Sequence, residues 1–352
     1  MSVASSDHTN NHANNHANNH ANNHASIITV GNAIVDVIAK ATDDFITEQG
    51  MKKNAMNLID ADRATTLYER IGPAIEVSGG SAANTAAGIA LLGGNAGFIG
   101  KIGDDMLGRI FRHDINAIGV KSHLAAEEAL QTACSYILVT PDKQRTMNTY
   151  LGASITLKPD DMNADAIIAA DIVYIEGYLY DAPEGPACWD KIANVAHAAG
   201  TKIAISLSDG WCVERHKQAM HQFVKDHCDM VLCNAEEARL MFNSDKDDAI
   251  RQLRQMVAEV VITDGGNGSI ACAGDDIATI TPDRDIPVMD TTGAGDLYAA
   301  GYLYARHQGA DLKTAVNLAT ITASEVISHI GARPQADLIA LASPHMPDHF
   351  FG

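Results

Sequence analysis

The residues best placed to do chemistry stand near the C-terminal end, in Asp290-Thr-Thr-Gly-Ala-Gly-Asp296-Leu-Tyr-Ala-Ala-Gly301. An apolar extended segment, 286–289, leads in, and a small-residue run over 296–307 reads as a long helix. Glycines at 293 and 295 let the backbone turn sharply and bare its amides. With Ala294 between them, those amides sit at a helix N-terminus, where unpaired N–H groups and the macrodipole favour an anion. Asp296 adds a carboxylate beside that anion. Either it caps the helix, or it accepts a proton from a reacting group.

Further chemistry-bearing residues lie upstream in a fixed order. Asp36 is a charge inside the β-branched run 26–40, which is interrupted at Gly31-Asn32. It is a buried structural acid or a ligand for hydroxyls, since one carboxylate accepts two hydrogen bonds from a vicinal diol. Gly79-Gly80-Ser-Ala-Ala-Asn84 opens a helical stretch with Ser81 as its expected N-cap, unless the glycines make only a tight turn. Asn234-Ala-Glu-Glu237 spells a capping box. Thr263-Asp-Gly265-Gly-Asn-Gly268 is a glycine turn after an apolar strand.

Together these motifs resemble the PfkB (ribokinase-like) family of sugar and nucleoside kinases, over essentially everything from position 27 to about 341. Gly31-Asn32…Asp36, Ser206-Leu-Ser208 and Ser328-His-Ile-Gly-Ala-Arg-Pro look most like its adenosine kinase branch. The resemblance implies an ATP-dependent phosphotransferase with an alcohol acceptor. Asp296 would be the base and Gly293, Ala294 and Gly295 the anion hole. It implies acceptor contacts at Asn32, Asp36, Gly80 and Asn84, and ATP contacts at Thr263, Gly265, Gly268 and Thr320. Asn234 and Glu237 would sit in the outer shell of Mg²⁺. Asp290 and Thr292 occupy the positions of a monovalent cation (K⁺). Arg145 would meet the transferred phosphate from a lid, unless it is a solvated surface arginine. The 5′-hydroxyl of adenosine or a related purine nucleoside is the expected acceptor, with a ribose- or fructose-type sugar as the alternative. Met147 and Tyr150 are candidates to sandwich a purine.

The elements that must position these groups follow a regular plan. From Asp171 onward short apolar strands at 172–175, 202–207, 230–233 and 260–263 alternate with helical stretches at 186–199, 212–226 and 235–257, the last broken near Ser244. That alternation predicts an α/β fold, ribokinase-like by resemblance: a mostly parallel central sheet with helices on both faces. Ligands bind beyond the carboxyl ends of such strands, where Gly80, Asn234, Thr263 and Gly293 are expected. Residues 120–152 change to short alternating segments around Pro141-Asp142-Lys143, which reads as a hairpin. With segments near 34–40 and 74–78, the resemblance makes it a small β lid.

Other nucleotide and hydrolase motifs fail. No G-x-x-x-x-G-K-[ST], H-E-x-x-H or G-x-S-x-G occurs. Gly266-Asn-Gly-Ser-Ile-Ala271 matches a dinucleotide fingerprint in letters, but a strand follows where a helix is required.

Composition sets the outer limits. The chain of 352 residues is 46% hydrophobic and carries a net charge of -19, which argues against nucleic acid or anionic membrane as a partner. Six scattered cysteines without a C-x-x-C pair suit reduced thiols, and no apolar run nears the roughly 18–20 residues of a membrane span. A cytoplasmic monomer or homodimer is expected. Residues 1–26, with four Asn-Asn-His-Ala repeats, read as a disordered leader or tag ahead of a kinase domain at 27–352. Deleting 1–26 is expected to leave both turnover and Tm unchanged, because the segment has almost nothing apolar to bury. A melting scan that drops by several degrees would refute this.

Overall fold

The computed structural model describes residues 26–283 and 285–351, so the expected leader lies outside the described residues except for Ser26. The strands are β1 (Ile27–Val30), β2 (Ile34–Lys40), β3 (Met56–Leu58), β4 (Ala74–Gly79), β5 (Ala96–Gly103), β6 (Lys121–Glu127), β7 (Ala133–Val139), β8 (Arg145–Tyr150), β9 (Ile172–Glu176), β10 (Lys202–Ser206), β11 (Met230–Asn234), β12 (Glu259–Thr263), β13 (Ser269–Ala273) and β14 (Asp276–Ile280).

Among the described residues, nine strands form the large sheet in the order β14-β13-β12-β11-β10-β9-β1-β5-β6. It is parallel from β12 through to β6, and β13 and β14 return antiparallel at one edge. The order reverses at β1, which pairs β5 on one side and β9 on the other. A crevice opens at such a reversal, beyond the carboxyl ends of the strands. Helices cover both faces. Ala86, Ile89, Leu297, Leu303 and Ala319 belong to one core, and Trp189, Ile192, Val213, Phe223 and Leu253 to the other. The expected α/β class holds.

Small residues set how closely helices Ser81–Leu91 and Ala294–His307 approach. A Cβ on Gly88 would lie 2.6 Å from Ala300 Cβ and 2.8 Å from Leu297 Cδ1. Only glycine fits that crossing. This contact brings the two catalytically suggestive helix starts together.

The second sheet runs β3-β8-β7-β2-β4. β7 and β8 are the hairpin expected around Pro141-Asp142-Lys143, and Lys143 takes a left-handed φ of 64° in its turn. In β2, Val35, Val37 and Ala39 are buried in the core. Ile34 and Asp36 point from the opposite face into a cavity, as period-two alternation requires.

Three expectations change. Within 120–152, the stretch that became β6 does not join the lid. It follows helix Met106–Ala117 and pairs parallel with β5, completing a strand–helix–strand unit on the large sheet. The lid instead recruits β3, three residues too short to carry a period. Residues 286–289 form no strand. They are irregular and are pinned where Met289 and Asp290 amides donate to Ile327 O. Thus Asn234 and Thr263 end strands of the large sheet, while Gly79 ends a lid strand and Gly293 follows a loop.

Candidate active site

Helix Ala294–His307 begins two residues earlier than its sequence implied, with Gly293 as N-cap at a φ of 77°. A side chain at 293 would strike Ala332, whose Cβ, Cα and O lie within 3.0 Å of the added carbon. Asp296 therefore sits in the first helical turn and does not cap it. Its carboxylate turns to the neighbouring helix, where Ser81 Oγ donates to Oδ1 at 2.6 Å and Asn84 Nδ2 donates to Oδ2 at 2.8 Å. Ser81 is likewise no cap, because Gly80 holds that position at a φ of 93°. Its hydroxyl is free to hold Asp296. Desolvation raises the Asp296 pKa above the usual carboxylate range, against the two hydrogen bonds and the Arg333 charge, which lower it.

Two cavities meet at this turn. One, of about 530 Å³, is lined by Asp36, Gly80, Ser81, Asn84, Asn234, Glu237, Gly293 and Asp296 among others. The other, of about 650 Å³, is lined by Thr263, Gly265, Gly268 and Thr320, together with apolar Pro282, Ile286, Val288 and Ile327. Thr263, Thr291, Ala294, Gly295 and Tyr298 belong to both walls. Ala294 and Gly295 thus stand at the junction, the Ala294 amide donating to Thr291 O at 3.2 Å, with Asp296 on the side of the smaller cavity. An anion straddling the junction meets a helix N-terminus from one side and a proton acceptor from the other.

The lid roofs the smaller cavity with Ile34, Asp36, Ser135, Met147 and Thr149. Ser135 and Thr149 hydroxyls pair across the strands at 2.9 Å. Asp36 accepts no hydrogen bond from the described residues, and burial pushes its pKa up to about 7, with the Arg333 charge opposing. Asn84 Oδ1 is also buried without a partner. Two acceptor groups in one cavity therefore await donors. Tyr150 is not on that wall, since it lies three residues from Met147 and so on the opposite face of β8.

Asn32 is not on the cavity wall either. Its amide donates to Glu176 Oε1 at 2.7 Å, and its carbonyl lies where a Cβ on Gly80 would fall. Arg145 and Asp290 are also absent from the wall, while Thr292 is on it. Instead of reaching into the junction, Arg145 ion-pairs with Asp290 Oδ1 at 2.6 Å and donates to Thr292 Oγ1. Asp290 further accepts from the Thr292 amide at 2.6 Å and the Gly331 amide at 2.9 Å. Arg145 thus occupies both side chains, Asp290 and Thr292, at which K⁺ is expected.

Asn234 and Glu237 form the capping box read from sequence. The Asn234 amide and Nδ2 donate to Glu237 at 2.9 and 2.6 Å, and the Glu237 amide donates back to Asn234 Oδ1 at 2.8 Å. Both side chains also line the cavity. Burial pushes Glu237 up to about 7, and Asp209 and Glu236 add to it. The Asn234 amide opposes that rise, which comes mainly from burial. Among the described residues no cluster of three or more His, Cys, Asp or Glu could hold a metal ion directly. Asn234 and Glu237 are the side chains that would hold a hydrated Mg²⁺ through its water shell.

Two groups escaped sequence reasoning. Glu176, at the end of β9, accepts from the Asn32 amide and, at 2.8 Å, from the Ala82 amide, so it joins the end of β1 to the start of helix Ser81–Leu91. A charge closing the apolar strand Ile-Val-Tyr-Ile-Glu was the signal. Arg333 donates to Ser78 O and Ala83 O, clasping both ends of the Gly79–Gly80 turn. It lies in the Ser328-His-Ile-Gly-Ala-Arg-Pro segment of the resemblance, which gives its place in the motif but not its contacts.

A model for the "pfkB family carbohydrate kinase" matches residues 75–338. The structure of a probable sugar kinase from Rhizobium etli CFN 42 superposes with a TM-score of 0.83 at 41% identity, covering 91% of this chain and 98% of that one. An adenosine kinase structure from Sinorhizobium meliloti gives 0.83 at 42% identity, covering 91% and 99%. The adenosine kinase of Saccharomyces cerevisiae is 24% identical over 328 residues, covering 87% of this chain and 95% of its own.

Proposed function

The chain belongs to the pfkB family of carbohydrate kinases and is a phosphotransferase with a hydroxyl acceptor, and from that premise we propose that it transfers the γ-phosphate of ATP to the 5′-hydroxyl of adenosine or a related purine ribonucleoside. The observation that carries this is the pair of cavities meeting at Ala294 and Gly295, with Asp296 on one side only. The larger cavity, apolar beyond its glycine turn, takes the nucleotide donor. The smaller takes the acceptor.

In the reaction Asp296 accepts the proton of the acceptor hydroxyl as its oxygen bonds to the γ-phosphorus. The bond to the bridging oxygen of ADP breaks, and ADP leaves. Ser81 and Asn84 hold the carboxylate in place, and its raised pKa makes it a better proton acceptor than a solvated Asp. The helix N-terminus at Gly293–Gly295 faces the charge that moves with the phosphoryl group, and the Ala294 amide, which here donates to Thr291 O at 3.2 Å, exchanges that partner for the phosphoryl oxygen. Asn234 and Glu237 would hold Mg²⁺ through its water shell, and that ion would supply positive charge to the donor phosphates. Thr263, Gly265, Gly268 and Thr320 bind that donor. Asp36 and the Asn84 carbonyl, both lacking donors, accept from the ribose hydroxyls.

The branch assignment leans on the Sinorhizobium meliloti adenosine kinase, whose whole length this chain spans. A sugar acceptor is the second reading, favoured by one observation: the cavity-facing lid residues Ile34, Asp36, Ser135, Met147 and Thr149 include no aromatic ring to stack on a purine. Release of ADP with adenosine, guanosine, inosine, ribose and fructose as acceptors distinguishes them. Adenosine is expected to exceed ribose by at least ~10-fold in kcat/KM, because ribose forgoes the base contacts. Ribose equalling adenosine would transfer the function to the sugar kinases.

A further inference from the structure

The Asp290 carboxylate is wholly closed off, with 0% of its side chain exposed. Carboxylates in such places need a cation, because leaving the charge unpaired is strongly destabilising. Its two backbone donors, the Thr292 and Gly331 amides, carry no net charge. Among the described residues, the one full positive charge in contact with it is the Arg145 guanidinium, which also spans to Thr292 Oγ1. A planar fork suits two neighbouring oxygens better than a point charge does. A metal ion entering here would face that guanidinium at contact distance.

The two partners come from elements that need not stay together. Arg145 is the first residue of β8, on the lid, and Lys143 of the same hairpin places Nζ 3.6 Å from Met289 Sδ. Asp290 and Thr292 immediately precede the Gly293 turn. If the lid lifts, Asp290 loses its counter-charge, and the loop shaping the anion-binding turn loses its anchor. We infer that Arg145 is the resident cation of the Asp290 site. It couples lid closure to the shape of the 293–295 turn and makes turnover independent of monovalent metal ions.

The turnover part rests on the kinase function proposed above, whereas the folding part does not. The test compares wild type, Arg145→Met, Asp290→Asn and the double variant in KCl and in tetramethylammonium chloride at matched ionic strength. Both Tm and kcat/KM are read, with the best acceptor from the panel. Wild-type values are expected to agree between the salts within about twofold, with Tm unmoved. Arg145→Met should lose about 10–100-fold in kcat/KM, and K⁺ should raise its Tm and turnover. The double variant should be no worse than the worse single, because both changes break one contact. Activation of the wild type by K⁺ of about fivefold or more, or a K⁺-dependent rise in its Tm, would overturn the inference. So would single losses that multiply in the double, which would place Arg145 on the phosphate instead. If no acceptor is phosphorylated, the functional proposal fails, and the Tm comparison still decides this one.

Discussion

Asp296→Asn is expected to cut turnover by roughly 10²–10⁴ while leaving acceptor binding within a few-fold of wild type. The substitution is close to isosteric and the site can accommodate it. Ser81 Oγ still has an oxygen to donate to, and a flip of the Asn84 amide lets Oδ1 accept from the new NH₂ group while Nδ2 turns to the acceptor cavity, where a ribose hydroxyl accepts from it instead of donating. Loss of proton acceptance, not loss of fold, is then what kinetics reads, and an unchanged or higher Tm checks that. The pH profile gives a second check. Burial raises the Asp296 pKa, so wild-type kcat/KM should climb as that carboxyl ionises, with a midpoint above the ordinary 3.8. A variant keeping more than about a tenth of wild-type turnover would remove Asp296 as the base.

Asp36→Asn should separate stability from specificity. The Asp36 pKa is about 7 in the native protein, so the folded state holds the proton more tightly than the unfolded chain, whose value is near 3.8. That contribution is full below about pH 4 and is lost as pH rises through about 7. Removing the acid therefore stabilises the free protein at pH 8, by as much as ~4 kcal/mol, less whatever solvent in the open cavity screens. The gap should close toward pH 4–5 (about the unfolded pKa). Arg333, Asp296, Arg145 and Asp290 all act on Asp36, while Glu176 and Glu237, also near 7, contribute equally to both proteins and cancel. Denaturant midpoints across this range test the sign, and a variant less stable than wild type at pH 8 would contradict it. The specificity arm uses 2′-deoxyadenosine. Wild type should phosphorylate it at least ~10-fold less efficiently than adenosine, because part of a desolvated carboxylate goes unpaired. In Asp36→Asn that preference should shrink. Equal efficiency in wild type would take Asp36 out of the acceptor site.

Several parts of the fold and site can be read directly along the chain, because neighbours in sequence decide them. Strand–helix alternation after Asp171 predicts the parallel sheet. The spacing of Asn234 and Glu237 predicts their capping box, and Pro141-Asp142-Lys143 predicts its hairpin. Glycines at 80 and 293 announce backbone that other residues rarely adopt, and both take positive φ values. Asp36 declares itself as a charge at an alternating apolar position. These are rules of period, turn and cap, and each acts over a few residues.

Only the tertiary structure decided which groups meet. Ser81 reaches Asp296 across 215 positions, Asn84 reaches it across 212, and Arg145 reaches Thr292 across 147. Glu176 holds Asn32 from 144 residues away. A hydrogen bond between distant side chains leaves no period in either segment, so Ser81 reads as a cap and the Arg145 contact with Asp290 and Thr292 leaves no trace in sequence. Edge strand β6 and the three-residue β3 exchanged sheets for a similar reason: a half-exposed or very short strand is placed by its partner, not by its own pattern. The raised pKa values of Asp36, Glu176, Glu237 and Asp296 belong to the same category. Desolvation is a property of what the rest of the chain packs around a carboxylate, and no residue carries it alone.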